Sequence, residues 1–150
     1  MEKPRKIVPP VYLLLCLVAV FLMDRFVPLW RFDGEPLALA GKLLALLGIA
    51  IILWPFFDFL RAKTGDVPFT EATTLVTGGL YRVTRNPMYL GMAAILLGAA
   101  FIRGSLGAML PVPLFMMIIQ ARFILGEERF LEEAFGAEYL AYKNSVRRWL

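Results

Sequence analysis

The chain has 150 residues, 59% apolar and 19% charged, with a mean hydropathy of +0.68, against roughly 45–50% apolar and about 25% charged in an ordinary soluble domain. A soluble core of this size covers only about 70% of the unfolded surface, so the excess would stand in water as large apolar patches, which excludes a cytosolic globular domain. With no His and a single Cys, Cys16, the chain cannot build a Cys/His zinc site, a histidine triad, a His-held haem or an intramolecular disulfide, and no metal is expected. The net charge of +4 does not indicate nucleic acid, because the basic residues are scattered between apolar segments and not gathered on one face.

Crossing a bilayer takes about 20 apolar residues, and four segments qualify in composition: Ile7 to Met23, Leu37 to Leu60, Met88 to Ile102 and Leu106 to Leu125. The first reads as a span and not a cleaved leader, since Met23-Asp24-Arg25 has no small-residue cleavage pattern. Spans three and four are joined only by Arg103-Gly104-Ser105, which predicts a short helical hairpin. Pro111 and Pro113 lie inside the fourth span, where their missing N–H donors predict a kink or break.

Outside the spans, eleven Lys and Arg residues precede span one, follow span two or follow span four, while only Arg25, Arg31 and Arg103 lie on the other side. Positive charge stays on the cytoplasmic face, so both termini and the Arg61 to Pro87 loop are expected there, in an integral membrane protein. In a bacterium that would be the cell membrane. Trp30, Trp54 and Trp149 fall near span ends, as interfacial anchors do. No repeat or low-complexity tract is visible, and residues 1–150 are expected to form one membrane domain. The fold class expected is all-α integral membrane, with about four transmembrane helices and an amphipathic cytoplasmic tail. In that tail Phe130, Leu131, Ala134 and Phe135 share a stripe, Gly136 caps the helix, and a second short helix puts Tyr139 and Tyr142 one turn apart.

Two polar clusters flank the hairpin: Gly78 to Gly91 before it, and Arg122 with Glu127-Glu128 after it. Gly78 and Gly79 let backbone approach a ligand. Pro87 suits a helix start whose free N–H groups attract an anion.

The pattern Gly79-x-Tyr81-x-x-x-Arg85-Asn86-Pro87-x-Tyr89-x-Gly91 is followed by Glu127-Glu128-x-x-Leu131-x-x-x-Phe135-Gly136-x-x-Tyr139-x-x-Tyr142 and by Val146-Arg147-Arg148-Trp149-Leu150. It resembles the isoprenylcysteine carboxyl methyltransferase and phospholipid methyltransferase superfamily of integral membrane enzymes that use S-adenosylmethionine. The resemblance covers Gly78 to Leu150, with two separated motifs in order; the first two spans resemble the family only in being apolar. It implies that Gly79, Tyr81, Arg85, Asn86, Pro87, Tyr89, Gly91, Glu127, Tyr139 and Tyr142 belong to the cofactor pocket. It further implies that Glu128, with Arg122, serves catalysis beside a lipid or lipidated acceptor. One position departs: the family usually has His where this chain has Asn86, which keeps a donor and an acceptor but does not titrate near neutrality.

Taken singly, these residues have plainer readings: interfacial tyrosines, topology-setting arginines, a carboxylate-rich helix start and a turn at Asn86-Pro87. Arg122 is harder to dismiss, because it falls inside the end of an apolar span and must snorkel or pair. Their joint spacing favours the functional reading. The functions weighed are carboxyl O-methylation of a lipidated or apolar acid, N-methylation of a phospholipid amine, a membrane scaffold without cofactor, and a sterol-type reductase, which length disfavours. A carboxylate is nucleophilic at neutral pH, whereas a lipid ammonium must first lose a proton. A chain without His therefore leans toward the carboxylate acceptor. The chain carries no prenylation signal of its own.

Overall fold

The computed structural model describes residues 8–32, 34–62 and 74–150, with no account of the side chains of 55–62. Ile7, the basic residues Lys3, Arg5, Lys6 and Lys63, and much of the loop after Arg61 lie outside what is described. Among the described residues the fold is entirely helical, apart from one isolated antiparallel bridge between Arg31 and Ser105.

Helix α1 (Pro9–Phe26) starts on two prolines, whose fixed φ suits a first turn. Helix α2 (Glu35–Ala62) follows, then a 3-10 turn at Gly79–Arg82 and helix α3 (Pro87–Arg103). Gly104 ends α3 in the left-handed conformation, its N–H reaching the carbonyls of Ala100 and Phe101. Ser105 then caps α4 (Leu106–Met109) by accepting from the Ala108 N–H. The tight hairpin read from Arg103-Gly104-Ser105 is thus built from one C-cap and one N-cap.

The chain continues through α5 (Pro111–Ile119), a π-helical turn at Gln120–Ile124, α6 (Leu125–Phe135) and α7 (Ala137–Ser145). Pro111 interrupts the hydrogen bonding after α4, yet Leu110 keeps helical dihedrals, so the prolines break the ladder without turning the chain aside. The second irregularity, the π turn, has no proline and was not expected from the sequence.

Among the described residues three helical stretches are long and apolar enough to cross a membrane, Pro9–Phe26, Glu35–Trp54 and Leu106–Phe135, and the shorter apolar helix α3 lies among them. Its 17 residues reach about 25 Å at 1.5 Å per residue, less than the roughly 30 Å of hydrocarbon. It is also the central helix, packed against α1, α2, α4 and α5. Met92, Ala93, Leu96 and Ala100 of α3 form the core with Cys16 and Val20 of α1 and Phe115 and Ile119 of α5. By contrast, α1 and α2 expose Leu14, Leu15, Val18, Phe21, Leu43, Leu46 and Leu47, a surface matched to lipid.

The α2–α3 contact is made by backbone. Gly41 and Gly48 lie two turns apart on α2, opposite Gly98 and Gly91 on an antiparallel α3. A Cβ on Gly48 would fall 2.5 Å from the Gly91 carbonyl oxygen, and one on Gly98 would fall 2.5 Å from the Gly41 carbonyl. Lipid tails are as apolar as Leu, so close backbone approach through small residues is what holds such helices together. Gly91, expected in the cofactor pocket, is buried in this seam against Gly48 and Ile52.

At the end of the bundle near the hairpin, Asp24 of α1 is fully buried. Its carboxylate accepts from Arg103 Nε at 2.8 Å and pairs with Arg31 at 3.5 Å. Two of the three arginines counted on the sparsely charged side are therefore engaged by one carboxylate. The linker after α1 is also stitched to the hairpin by backbone bonds, including Leu106 N to the Trp30 carbonyl at 2.8 Å.

The glycine seam predicts that Gly48→Leu lowers stability by about 1–3 kcal/mol, the usual cost of overpacking. Gly126→Ala, where an added Cβ meets nothing within 4 Å, should be neutral or slightly stabilising because Ala favours helix. Thermal unfolding of the two variants in the same detergent checks the contrast.

Candidate functional site

At the other end of the bundle the residues between the 3-10 turn and α3, the start of α1, and helices α6 and α7 enclose a cavity of about 480 Å³, within the range of small-molecule sites. Tyr81, Arg85, Asn86, Pro87, Tyr89, Glu127, Glu128, Tyr139 and Tyr142 all line it. Nine of the residues singled out in the sequence thus meet on one concave surface. Gly79, Gly91 and Arg122 do not line it. Gly79 instead begins the 3-10 turn with a φ of 59°, a left-handed value that glycine adopts without strain.

Gly136 makes this convergence possible. With φ 52° and ψ −122° it breaks the run of α6 and lets α7 fold back, so that Tyr139 and Tyr142 turn inward and are buried. Their rings lie 6.1 Å apart. The Tyr142 hydroxyl donates to the Tyr81 carbonyl at 2.7 Å, tying α7 to the 3-10 turn. On α6, Phe130 of the apolar stripe is 56% exposed, whereas Glu128 is 6% exposed.

Glu128 is buried because cations reach it. Arg148 makes a two-bond pair, Nε to Oε1 and Nη2 to Oε2, both at 2.8 Å, and Arg85 Nη1 approaches Oε1 at 3.3 Å. Both guanidinium groups favour the ionised carboxylate. Arg122, expected to serve catalysis with Glu128, is exposed on the π turn. The cations at Glu128 are Arg85 and Arg148, the latter brought there by the return of the chain after α7. Arg85 also donates to the Tyr139 hydroxyl at 3.4 Å, and its buried Nε finds no partner among the described residues.

The return of the chain after α7 is fixed by further bonds. The Arg148 carbonyl accepts from Asn86 Nδ2 at 2.9 Å and from Thr84 Oγ1 at 3.2 Å, and the Arg147 carbonyl accepts from the Arg85 N–H at 3.0 Å. Trp149, expected as an interfacial anchor, donates through Nε1 to Gln120 of the π turn at 3.1 Å. Asn86 therefore uses its side-chain donor on the chain itself. Arg148 and Thr84 are the polar residues the sequence reading passed over. Arg148 stood in the quoted terminal motif, but only the fold brings it to Glu128.

The second carboxylate is placed differently. Glu127 is exposed at the rim of the cavity and accepts from the Tyr89 hydroxyl at 2.7 Å. Burial, helped by the Glu127 charge, pushes the Tyr81 phenol up. Burial also pushes Tyr142 up to about 12. Both phenols stay protonated at neutral pH, and Tyr142 acts as a hydrogen-bond donor. The remaining wall is apolar: Pro9 and Pro10 from α1, Met88 and Met92 from α3, Phe130 and Leu131 from α6, with Leu75 and Val76 before the 3-10 turn. The cavity thus carries separated anionic and cationic groups beside a greasy wall.

Comparison with known proteins places the chain in a family. The family model for phospholipid methyltransferase matches residues 37–138. An uncharacterized protein of Haemophilus influenzae is 44% identical over 63 residues, 42% of this chain and 100% of that protein. The protein-S-isoprenylcysteine O-methyltransferase of Saccharomyces cerevisiae is 32% identical over 121 residues, 73% of this chain and 49% of the yeast protein; the chain spans about half the length of that relative. No solved structure matches the chain. With its apolar helices and the family match over more than half its length, the chain is an integral membrane protein that belongs to the phospholipid methyltransferase family, of the membrane methyltransferase type.

Proposed function

We propose that the protein is an S-adenosylmethionine-dependent methyltransferase that esterifies the carboxylate of a lipidated or apolar acceptor. The observation that carries this reading is the cavity itself, which joins Arg85, Glu127 and protonated tyrosines to an apolar wall at the polar end of a membrane helix bundle. S-adenosylmethionine has a carboxylate at one point and an ammonium and a sulfonium at others. The chain offers a complement to each. The unsatisfied Nε of Arg85 and the free N–H groups where α3 begins at Pro87 suit the carboxylate. Glu127, oriented by Tyr89, suits a cation. Bound there, the cofactor supplies an electrophilic methyl for in-line attack by an acceptor oxygen, a reaction governed by positioning and a dry polar pocket.

The chain's own residues favour an acceptor that needs no deprotonation. Glu128 is held ionised by two arginines, and the Tyr81 and Tyr142 phenols keep their protons. Among the described lining residues only Glu127 is left as a base for an amine. The name of the yeast relative, which acts on protein S-isoprenylcysteine, supports the same class, and the apolar wall suits its chain. Phospholipid N-methylation, the reaction of the family's title, is the competing outcome. The whole of residues 1–150 is read as one such unit, with four spans, both termini in the cytoplasm and the cavity facing that side. The excess of Lys and Arg there supports this orientation.

Three measurements test these statements. Arg85→Ala should weaken binding of S-adenosylhomocysteine by about 1–3 kcal/mol, the cost of losing a charged hydrogen-bond partner; calorimetry in detergent reads it, and unchanged affinity in a folded variant removes Arg85 from the anion site. Glu128→Gln should cut turnover of an S-prenylated cysteine carboxylate by roughly 100-fold through lost electrostatic organisation, while cofactor-product affinity changes far less. A wild-type rate would reduce Glu128 to a structural carboxylate, and activity regained at high pH on phosphatidylethanolamine would favour the amine acceptor. Finally, an impermeant thiol reagent applied from outside intact cells, with Cys16 replaced by Ser, should label Gly34→Cys and spare Asn144→Cys. The opposite pattern reverses the topology.

A further inference from the structure

The group of three charges at the cavity has an uneven geometry. Glu128 could close a two-bond pair with either guanidinium, and Arg148 has it: two bonds of 2.8 Å, against one 3.3 Å approach from Arg85. The Arg85 side chain is only 9% exposed and lines the cavity, yet its Nε has no partner among the described residues. Arg148 does not line the cavity and is more exposed, at 30%. The two arginines and one carboxylate leave one positive charge in excess, and it is Arg85, the cavity-facing member, that is left underused.

Arg148 can hold Glu128 because its backbone is clamped. Thr84 and Asn86 both donate to its carbonyl, the neighbouring Arg147 carbonyl receives the Arg85 N–H, and Trp149 is anchored to Gln120. Thr84 is itself buried and receives the Asn86 N–H at 3.1 Å. The residues on either side of Arg85 therefore set the position of the cation that competes with it for Glu128.

We propose that Arg148 is a positioning residue for anion recognition: by holding both oxygens of Glu128 it keeps that carboxylate from closing on Arg85, so that the Arg85 guanidinium remains available to the carboxylate of a ligand in the cavity. Without Arg148, Glu128 and Arg85 form a neutral pair and the anion site is lost. This rests on the reading of the cavity as the cofactor site, and it gives Asn86 a task in this chain, holding the Arg148 carbonyl, that requires a donor and no titrating proton.

The test uses the full chain in detergent as wild type, Arg148→Met, Glu128→Gln and the double variant, with two readouts. One is the affinity for S-adenosylhomocysteine. The other, made without ligand, is the rate at which phenylglyoxal modifies Arg85, read by peptide mass spectrometry. Arg148→Met should weaken binding about tenfold and slow Arg85 modification, and in the Glu128→Gln background it should change either by less than about twofold, because no carboxylate is left to capture Arg85. Equal losses in both backgrounds would mean that Arg148 only supports the fold, and no loss in either would mean that Arg85 does not depend on it; each result overturns the proposal. Arg148→Lys, which keeps the charge but not the two-bond geometry, should fall between wild type and Arg148→Met, and it serves in place of Arg148→Met if that variant does not fold. If the wild type binds no S-adenosylhomocysteine, the cofactor reading fails, and the modification rates alone decide the role of Arg148.

Discussion

The cavity depends on one buried carboxylate. Glu128 sits on α6, but its partners come from elsewhere: Arg85 from the loop before α3, and Arg148 from the segment after α7. A lone ion buried in this way would be prohibitive. Two guanidinium groups make it tenable and in doing so join three stretches of chain around one space. The tyrosines, the α3 start and the rim carboxylate Glu127 take their positions from that joint, with Tyr142 closing it against the 3-10 turn.

A second buried carboxylate does similar work at the opposite end. Asp24 gathers Arg103 and Arg31 and holds the hairpin between α3 and α4 against the end of α1. Between these polar ends, α3 has little freedom: the glycine seam with α2 fixes its depth and register, and the hairpin fixes its far terminus. The N-terminus of α3, where Asn86 and Pro87 face the cavity, is therefore presented by a helix packed against α1, α2, α4 and α5. Such a mounting suits a site whose work is positioning.

Much of this was legible in the chain order. Apolar runs located the helices to within a few residues, Gly104 and Ser105 marked the hairpin, and Gly136 separated the two tail helices, because each of these signals is local. The motif residues Tyr81, Arg85, Asn86, Tyr89, Glu127, Glu128, Tyr139 and Tyr142 do line one cavity. Other residues stand away from that cavity. The resemblance puts Gly91 in the cofactor pocket, whereas its backbone packs against Gly48 of α2. The resemblance puts Arg122 with Glu128 in catalysis, whereas Arg122 lies exposed on a π turn that no residue announces. On α6 Glu128 is the buried residue, while Phe130 of the apolar stripe is 56% exposed.

What the sequence determined by itself is everything that one segment can express: a lipid-facing composition, helices with their stops and caps, and a set of residues whose chemical types suit a cofactor with charges of both signs. Tertiary structure alone decided which cation meets which carboxylate. Arg148 lies 20 positions from Glu128 and 62 from Asn86, and no periodicity links them. Their meeting depends on the turn at Gly136, the return of the chain after α7 and the clamp by Thr84 and Asn86. Ion pairing of this kind is set by distance and burial in three dimensions, and a linear pattern contains neither.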